Sequence, residues 1–106
     1  MGARVWILVL GVAAVAAASS SVWAGAEEGK AFYAEKCRVC HSIAGDAGKM
    51  ADKGGKLDGV GTKHDEKWMR AYLADPKSQM PDAKMPKIKM TEQQFNDIVA
   101  YMMSLK

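Results

Sequence analysis

Glu27-Glu28-Gly29-Lys30-Ala31-Phe32-Tyr33-Ala34-Glu35-Lys36-Cys37-Arg38-Val39-Cys40-His41 is the stretch that decides how this chain folds. Its last five residues form C-x-x-C-H, the attachment signature of c-type haem. Two thiols three positions apart can each add to one vinyl group of the porphyrin, giving two thioether bonds. The histidine directly after the second thiol then lies beneath the ring, where its imidazole can ligate the iron. Cys37 and Cys40 are the only cysteines in the chain. A thioredoxin-like redox pair would want a βαβ pattern around it, and none is read here. A zinc site wants about four ligands, and there is no second cysteine pair. A disulfide at this spacing would close a strained loop. The motif therefore assigns one haem, with Cys37 and Cys40 as its covalent anchors and His41 as the proximal iron ligand.

Upstream of the motif the chain changes character. Met1-Gly2-Ala3-Arg4 carries one positive side chain, Val5 to Ala18 is an unbroken apolar run, and Ser19-Ser20-Ser21 turns polar. Val22-Trp23-Ala24 and Ala24-Gly25-Ala26 both place small or compact residues at the outer positions of a cleavage site. This is the layout of a secretory signal peptide, expected over residues 1–24 or up to 26. With Ser19 to Ala24 added, the run approaches the roughly 20 residues of a membrane span, so an uncleaved anchor is the alternative. The remaining domain, residues 27–106, is near the size where an apolar core alone becomes marginal, and a covalently held apolar haem compensates for that. Without Arg4 the formal charge falls from +3 to +2, and twelve of the fourteen remaining cations are lysines. Such a surface can steer acidic redox partners or simply keep the protein soluble. With no arginine cluster and no aromatic–basic interleaving, nucleic acid is not a partner.

Three helices and no convincing strand are read. The first runs from about Glu27 to Lys36, with acidic residues in its first turn, where the helix dipole favours them. The second, about Asp65 to Ala74, is stopped by Asp75-Pro76 and sets Trp68, Met69, Tyr72 and Leu73 on one face. The third runs from about Glu92 to Leu105. Thr91 and Gln94 form a capping box, and Phe95, Ile98, Val99, Met102 and Leu105 repeat at amphipathic spacing. Gly45 to Gly61 reads as loop with Leu57 and Val60 as buried anchors, and Asp75 to Met90 is irregular and holds all three prolines.

Iron bound by one histidine takes a second axial ligand or stays open for chemistry. Of eight methionines, Met69, Met102 and Met103 fall in helices as packing residues. Met80, Met85 and Met90 fall in the proline-marked segment, from which a thioether can reach the face opposite His41. His64 competes, but between Lys63 and Asp65 it reads as surface. A thioether ligand stabilises ferrous iron relative to a second histidine.

Taken together, these features resemble a small bacterial class I cytochrome c, the monohaem, Met/His-ligated kind. The matching residues are Gly29 and Phe32 before Cys37-x-x-Cys40-His41, then Leu57-Asp58-Gly59-Val60-Gly61, Trp68 and Tyr72 before Asp75-Pro76, Lys84-Met85-Pro86, and the closing Val99-Ala100-Tyr101-Met102-Met103-Ser104-Leu105. The resemblance covers essentially all of residues 27–106. It implies an all-α fold, three main helices wrapped around one haem c. It implies Met85 as distal ligand, because in that family the methionine of the Met-Pro pair nearest the last helix takes that place. First and last helices should cross at right angles, with Gly29 and Phe32 meeting Tyr101, and Trp68 and Tyr72 should pack near the haem and its propionates. The implied function is that of a periplasmic single-electron carrier, monomeric and not an enzyme. Its partners would be redox proteins such as an oxidase, a reductase or a quinol-oxidising complex, with no small-molecule substrate. A membrane-anchored haem subunit and an open-site haem enzyme or gas sensor are the alternatives. One departure stands out. The family often has Gly-Pro where this chain has Gly54-Gly55, and there the proline carbonyl accepts the proximal histidine N–H. A glycine carbonyl would take that role on a softer loop.

Overall fold

The computed structural model describes residues 21–106, together with the isolated positions 2, 3 and 11. Most of the expected signal peptide, and of the anchor that is its alternative, falls on residues outside this description; its last residues, from Ser21 on, are described and are helical. Among the described residues no helix is long and apolar enough to cross a membrane.

The frame consists of three longer helices, α1 (Ser21–Lys36), α4 (Glu66–Ala74) and α6 (Glu92–Ser104). Between α1 and α4 lie β1 (Ser42–Ile43), β2 (Asp46–Ala47), α2 (Ala51–Gly54) and α3 (Val60–Lys63), and between α4 and α6 lies the single turn α5 (Pro76–Gln79). The all-α architecture expected from the sequence is the one found.

Helix α1 begins six residues earlier than expected, so Glu27 and Glu28 occupy its second turn rather than its first. No proline in Val22-Trp23-Ala24-Gly25-Ala26 stops the helix from extending upstream. Helix α4 opens on Asp65, whose carboxylate accepts the Trp68 N–H at 2.7 Å. It ends at Ala74 as expected, but Pro76 then becomes the first residue of α5, a position where its missing N–H costs nothing. Helix α6 starts on the expected capping box: the Thr91 hydroxyl accepts the Gln94 N–H at 3.1 Å, and the Gln94 side chain accepts the Thr91 N–H at 2.9 Å.

The glycine-rich stretch is more ordered than its composition implies. β1 and β2 form a minimal antiparallel hairpin, turned by Ala44 and Gly45 at φ of 50° and 81°. Two left-handed residues in succession make the tight turn that suits strand twist. Alanine is strained there, and the Asp58 carboxylate offsets this by accepting the Ala44 N–H at 2.8 Å.

Helices α1 and α6 carry the main packing seam. Gly29 is buried against α6, where an added Cβ would run into the Asp97 carbonyl and lie 2.7 Å from Tyr101 Cβ. The ring that meets Tyr101 is Tyr33, with centroids 5.8 Å apart, and not Phe32 as the resemblance implied. Gly29 and Tyr33 are four residues apart and share a helix face. Phe32 is buried as well, in one core with Tyr33, Met69, Leu73, Ile98, Val99 and Met102. Leu57 and Val60 pack against this core as the expected loop anchors.

Candidate functional site

The C-x-x-C-H turn grows directly out of the end of α1. The Tyr33 carbonyl accepts both the Cys37 and Arg38 N–H groups at 2.9 Å, and the Cys40 N–H returns to the Cys37 carbonyl at 3.1 Å. The outer side of the turn is held to the hairpin. Arg38 makes a bidentate ion pair with Asp46, its shortest contact 2.7 Å, and the Met50 N–H donates to the Val39 carbonyl at 2.8 Å. Through that hydrogen-bonded pair, Arg38 holds the exposed Asp46 carboxyl below its ordinary value.

His41 is half-buried, and its Nδ1–H donates to the Gly55 carbonyl at 3.2 Å. The same carbonyl accepts the Ser42 N–H at 3.2 Å, so both lone pairs of one oxygen fix the start of β1 and the ring of His41. With Nδ1 as donor, Nε2 is the free acceptor, the atom a metal would take. Burial lowers the basicity of His41, opposed by the Gly55 and Gly54 carbonyls, and this favours the neutral imidazole that metal ligation requires. Gly54 is the second contact that shapes this corner. A Cβ there would strike the Cys40 carbonyl and come within 2.7 Å of His41 Cε1. The glycine pair that departs from the resembled Gly-Pro thus gives the histidine both an acceptor and room.

These residues open onto a cleft of about 210 Å³. Cys37 and His41 line it together with Trp68 and Tyr72, and Met80 and Met85 also reach it. Leu57, Val60, Met69, Leu73, Ile98 and Met102 supply an apolar wall. Cys40 is half-buried in the turn but does not line the cleft. Burial, with a smaller contribution from Cys40, pushes the Cys37 thiol up to about 11, so it is neutral near pH 7. Burial also raises Tyr72 above the ordinary phenol value.

Met85 and Met80 differ in setting. Met85 is half-buried and packs against the core, whereas Met80 is 49% exposed at the end of α5. Met90 packs against the core without lining the cleft. His64 corrects the sequence reading. Although its neighbours Lys63 and Asp65 are exposed, its ring lines the cleft and stacks on Trp68 with centroids 3.5 Å apart, and Trp68 stacks in turn on Tyr72 at 4.9 Å. His64 and Trp68 stand four residues apart across the start of α4, a spacing that could have signalled the contact.

A flat apolar plate carrying two vinyl groups and a metal fits these residues. The thiols are free, the imidazole presents an unused nitrogen, the walls are apolar, and a thioether faces the same space. The family model for cytochrome c matches residues 26–106. The chain belongs to the cytochrome c family. It is a class I c-type cytochrome whose cofactor is covalently attached haem c with iron, and it is a haem-based electron carrier. No curated protein and no solved structure gives a significant match.

Proposed function

We propose that this cytochrome c is an exported, periplasmic, single-electron carrier serving respiratory redox partners, and that it does no bond-making chemistry on a substrate. Its haem would be bound by Cys37 and Cys40 and ligated by His41 and Met85. The bound haem supplies a one-electron ferric/ferrous couple. The chain's own residues do the rest: the Gly55 carbonyl fixes His41, the core-packed segment around Met85 holds the thioether, and the Trp68–Tyr72 stack with the apolar wall keeps water from the iron. A coordination sphere that is the same before and after electron transfer leaves little to rearrange.

The observation that carries this reading is the half-buried, core-packed Met85 in the cleft lined by His41. It argues against an open iron site. The lysines Lys77, Lys84 and Lys87 around Met85-Pro86 support acidic partner proteins. Export is supported by the residue pattern upstream of Gly25. The apolar length of that pattern also fits a retained anchor holding the protein to a larger complex, and N-terminal sequencing of the purified protein distinguishes the two.

The ligand set is tested by three single variants of the holoprotein. Met85→Ala should abolish the weak far-red sulfur-to-iron band of the oxidised form and admit carbon monoxide to the reduced form. Met80→Ala and His64→Ala should keep the band. If the band survives Met85→Ala and is lost in either of the others, the assignment is wrong.

A further inference from the structure

Asp97 is the one acidic side chain buried among the described residues, at 7% exposure. It lies within α6 between the capped first turn and Tyr101. Its Oδ1 accepts from the Gln93 side-chain amide at 2.7 Å. Among the described residues no lysine, arginine or histidine pairs with it. A carboxylate taken out of water with only a neutral amide for company is costly unless a cation faces it.

The group across the seam is Gly25 of α1. A Cβ on Gly25 would lie 3.4 Å from Asp97 Oδ1 and 3.6 Å from Ala100 Cβ. As part of a continuous chain, Gly25 has nothing to offer at that point. As the first residue of a processed chain it would. The free amine can turn about the Cα–C bond, and because amine and Cβ occupy neighbouring tetrahedral positions on Cα, a rotation of about 120° in ψ carries the nitrogen to where a Cβ would stand. The bond lengths are similar, so the nitrogen arrives at ion-pair distance from Asp97 with no movement of either helix. Glycine permits this turn because no side chain is displaced by it.

The sequence places small or compact residues at the outer positions of a cleavage site directly before this position, Val22 and Ala24 in Val22-Trp23-Ala24. Hydrolysis of the Ala24–Gly25 peptide bond consumes one water. Ala24 leaves with the new carboxylate, and Gly25 retains the amine, which takes a proton at neutral pH. We propose that processing at Ala24–Gly25 builds an ion pair between the Gly25 ammonium and the Asp97 carboxylate, fastening the start of α1 to α6. The pair rests on the export reading proposed above. It also answers a second electrostatic problem, since an ammonium at the N-terminus of a helix faces the positive end of the helix dipole. Asp97 offsets that repulsion.

The test begins with N-terminal sequencing of the exported holoprotein, which should start at Gly25. Unfolding by guanidinium, followed by haem absorbance, is then compared for four proteins: wild type, Asp97→Asn, a form with three residues inserted after Ala24, and the double variant. Asp97→Asn should raise the unfolding constant of the Gly25-start protein at least about tenfold, the scale of a hydrogen bond to a charged group. In the extended background, where the ammonium has moved a helical turn away and leaves the buried carboxylate without a cation, the same substitution should leave the unfolding constant unchanged or lower it. A Gly25 start with equal effects in both backgrounds overturns the pair and leaves the export reading intact. A start at Glu27, or an intact Met1, overturns the pair together with cleavage at Ala24.

Discussion

Gly29→Ala sets two rules of stability against each other. In an isolated helix the change should stabilise by about 1 kcal/mol, because glycine is the poorer helix former. At the α1–α6 seam the new methyl carbon would lie 2.7 Å from both the Asp97 carbonyl carbon and Tyr101 Cβ, and closer still to the Asp97 carbonyl oxygen. Carbon atoms prefer separations of about 3.5–4.0 Å, so the helices must part by about 0.8 Å or more. The obstructing atoms are mostly backbone of α6 and cannot rotate aside. Overpacking of this kind costs about 1–3 kcal/mol, and parting the seam also loosens Ile98 and Val99, which are almost fully buried. With backbone atoms in the way the upper half of that range applies, about 2–3 kcal/mol, and subtracting the propensity gain of about 1 kcal/mol leaves a net loss of about 1–2 kcal/mol. Guanidinium unfolding of the holoprotein, read by haem absorbance and helical circular dichroism, should show a lower midpoint with an unchanged slope. The far-red band should be unaltered, because Gly29 does not line the cleft. A midpoint equal to or above wild type would show that the helices do not meet as closely as described.

Three further outcomes are expected. Gly54→Ala should press on His41 and the Cys40 carbonyl, weakening the proposed bond of His41 to iron and letting carbon monoxide bind the reduced protein; a wild-type spectrum with no carbon monoxide response would contradict that. Thr91→Ala, which removes half of the capping box, should lower stability by about 1 kcal/mol in the same unfolding assay, and an effect near zero would mean that the box does not hold α6. Asp46 should titrate below its ordinary 3.8 because of Arg38. Its folded form then binds fewer protons than its unfolded form, so its contribution to stability is complete above pH 3.8 and is lost as pH falls through the lowered folded value. Arg38→Ala should move the carboxyl's titration, followed by nuclear magnetic resonance, back up towards 3.8, and an unmoved midpoint would rule out the pairing in solution.

Much of this molecule is legible in its residues because periodicity and caps are local signals. Thr91 and Gln94 announce the start of α6 and Asp75-Pro76 the end of α4, while Leu57 and Val60 stand out from a polar loop. What escaped depends on tertiary direction. Phe32 and Tyr33 are adjacent and both buried, and only the four-residue offset from Gly29 tells which one meets Tyr101. His64 looked solvated because its neighbours are charged, yet its ring turns onto Trp68. Asp97 interrupts an apolar face and is four residues from Tyr101, so it too points at α1. The two-residue strands were invisible because their register is fixed by the Ala44-Gly45 turn and by Asp58, fourteen residues away from Ala44, rather than by any alternation. In the candidate site, Cys37, Cys40 and His41 are given by the motif. The acceptor for His41 had to be found in space, and it proved to be Gly55.

The most direct measurement is a redox titration of the purified holoprotein, with spectra of both end states and carbon monoxide added to the reduced form. A reversible one-electron transition, a far-red band in the oxidised spectrum and no carbon monoxide adduct are expected of an electron carrier with His41 and Met85 on its iron. A missing band together with a rapid carbon monoxide shift would contradict it, and would place an open iron at the centre of the cleft.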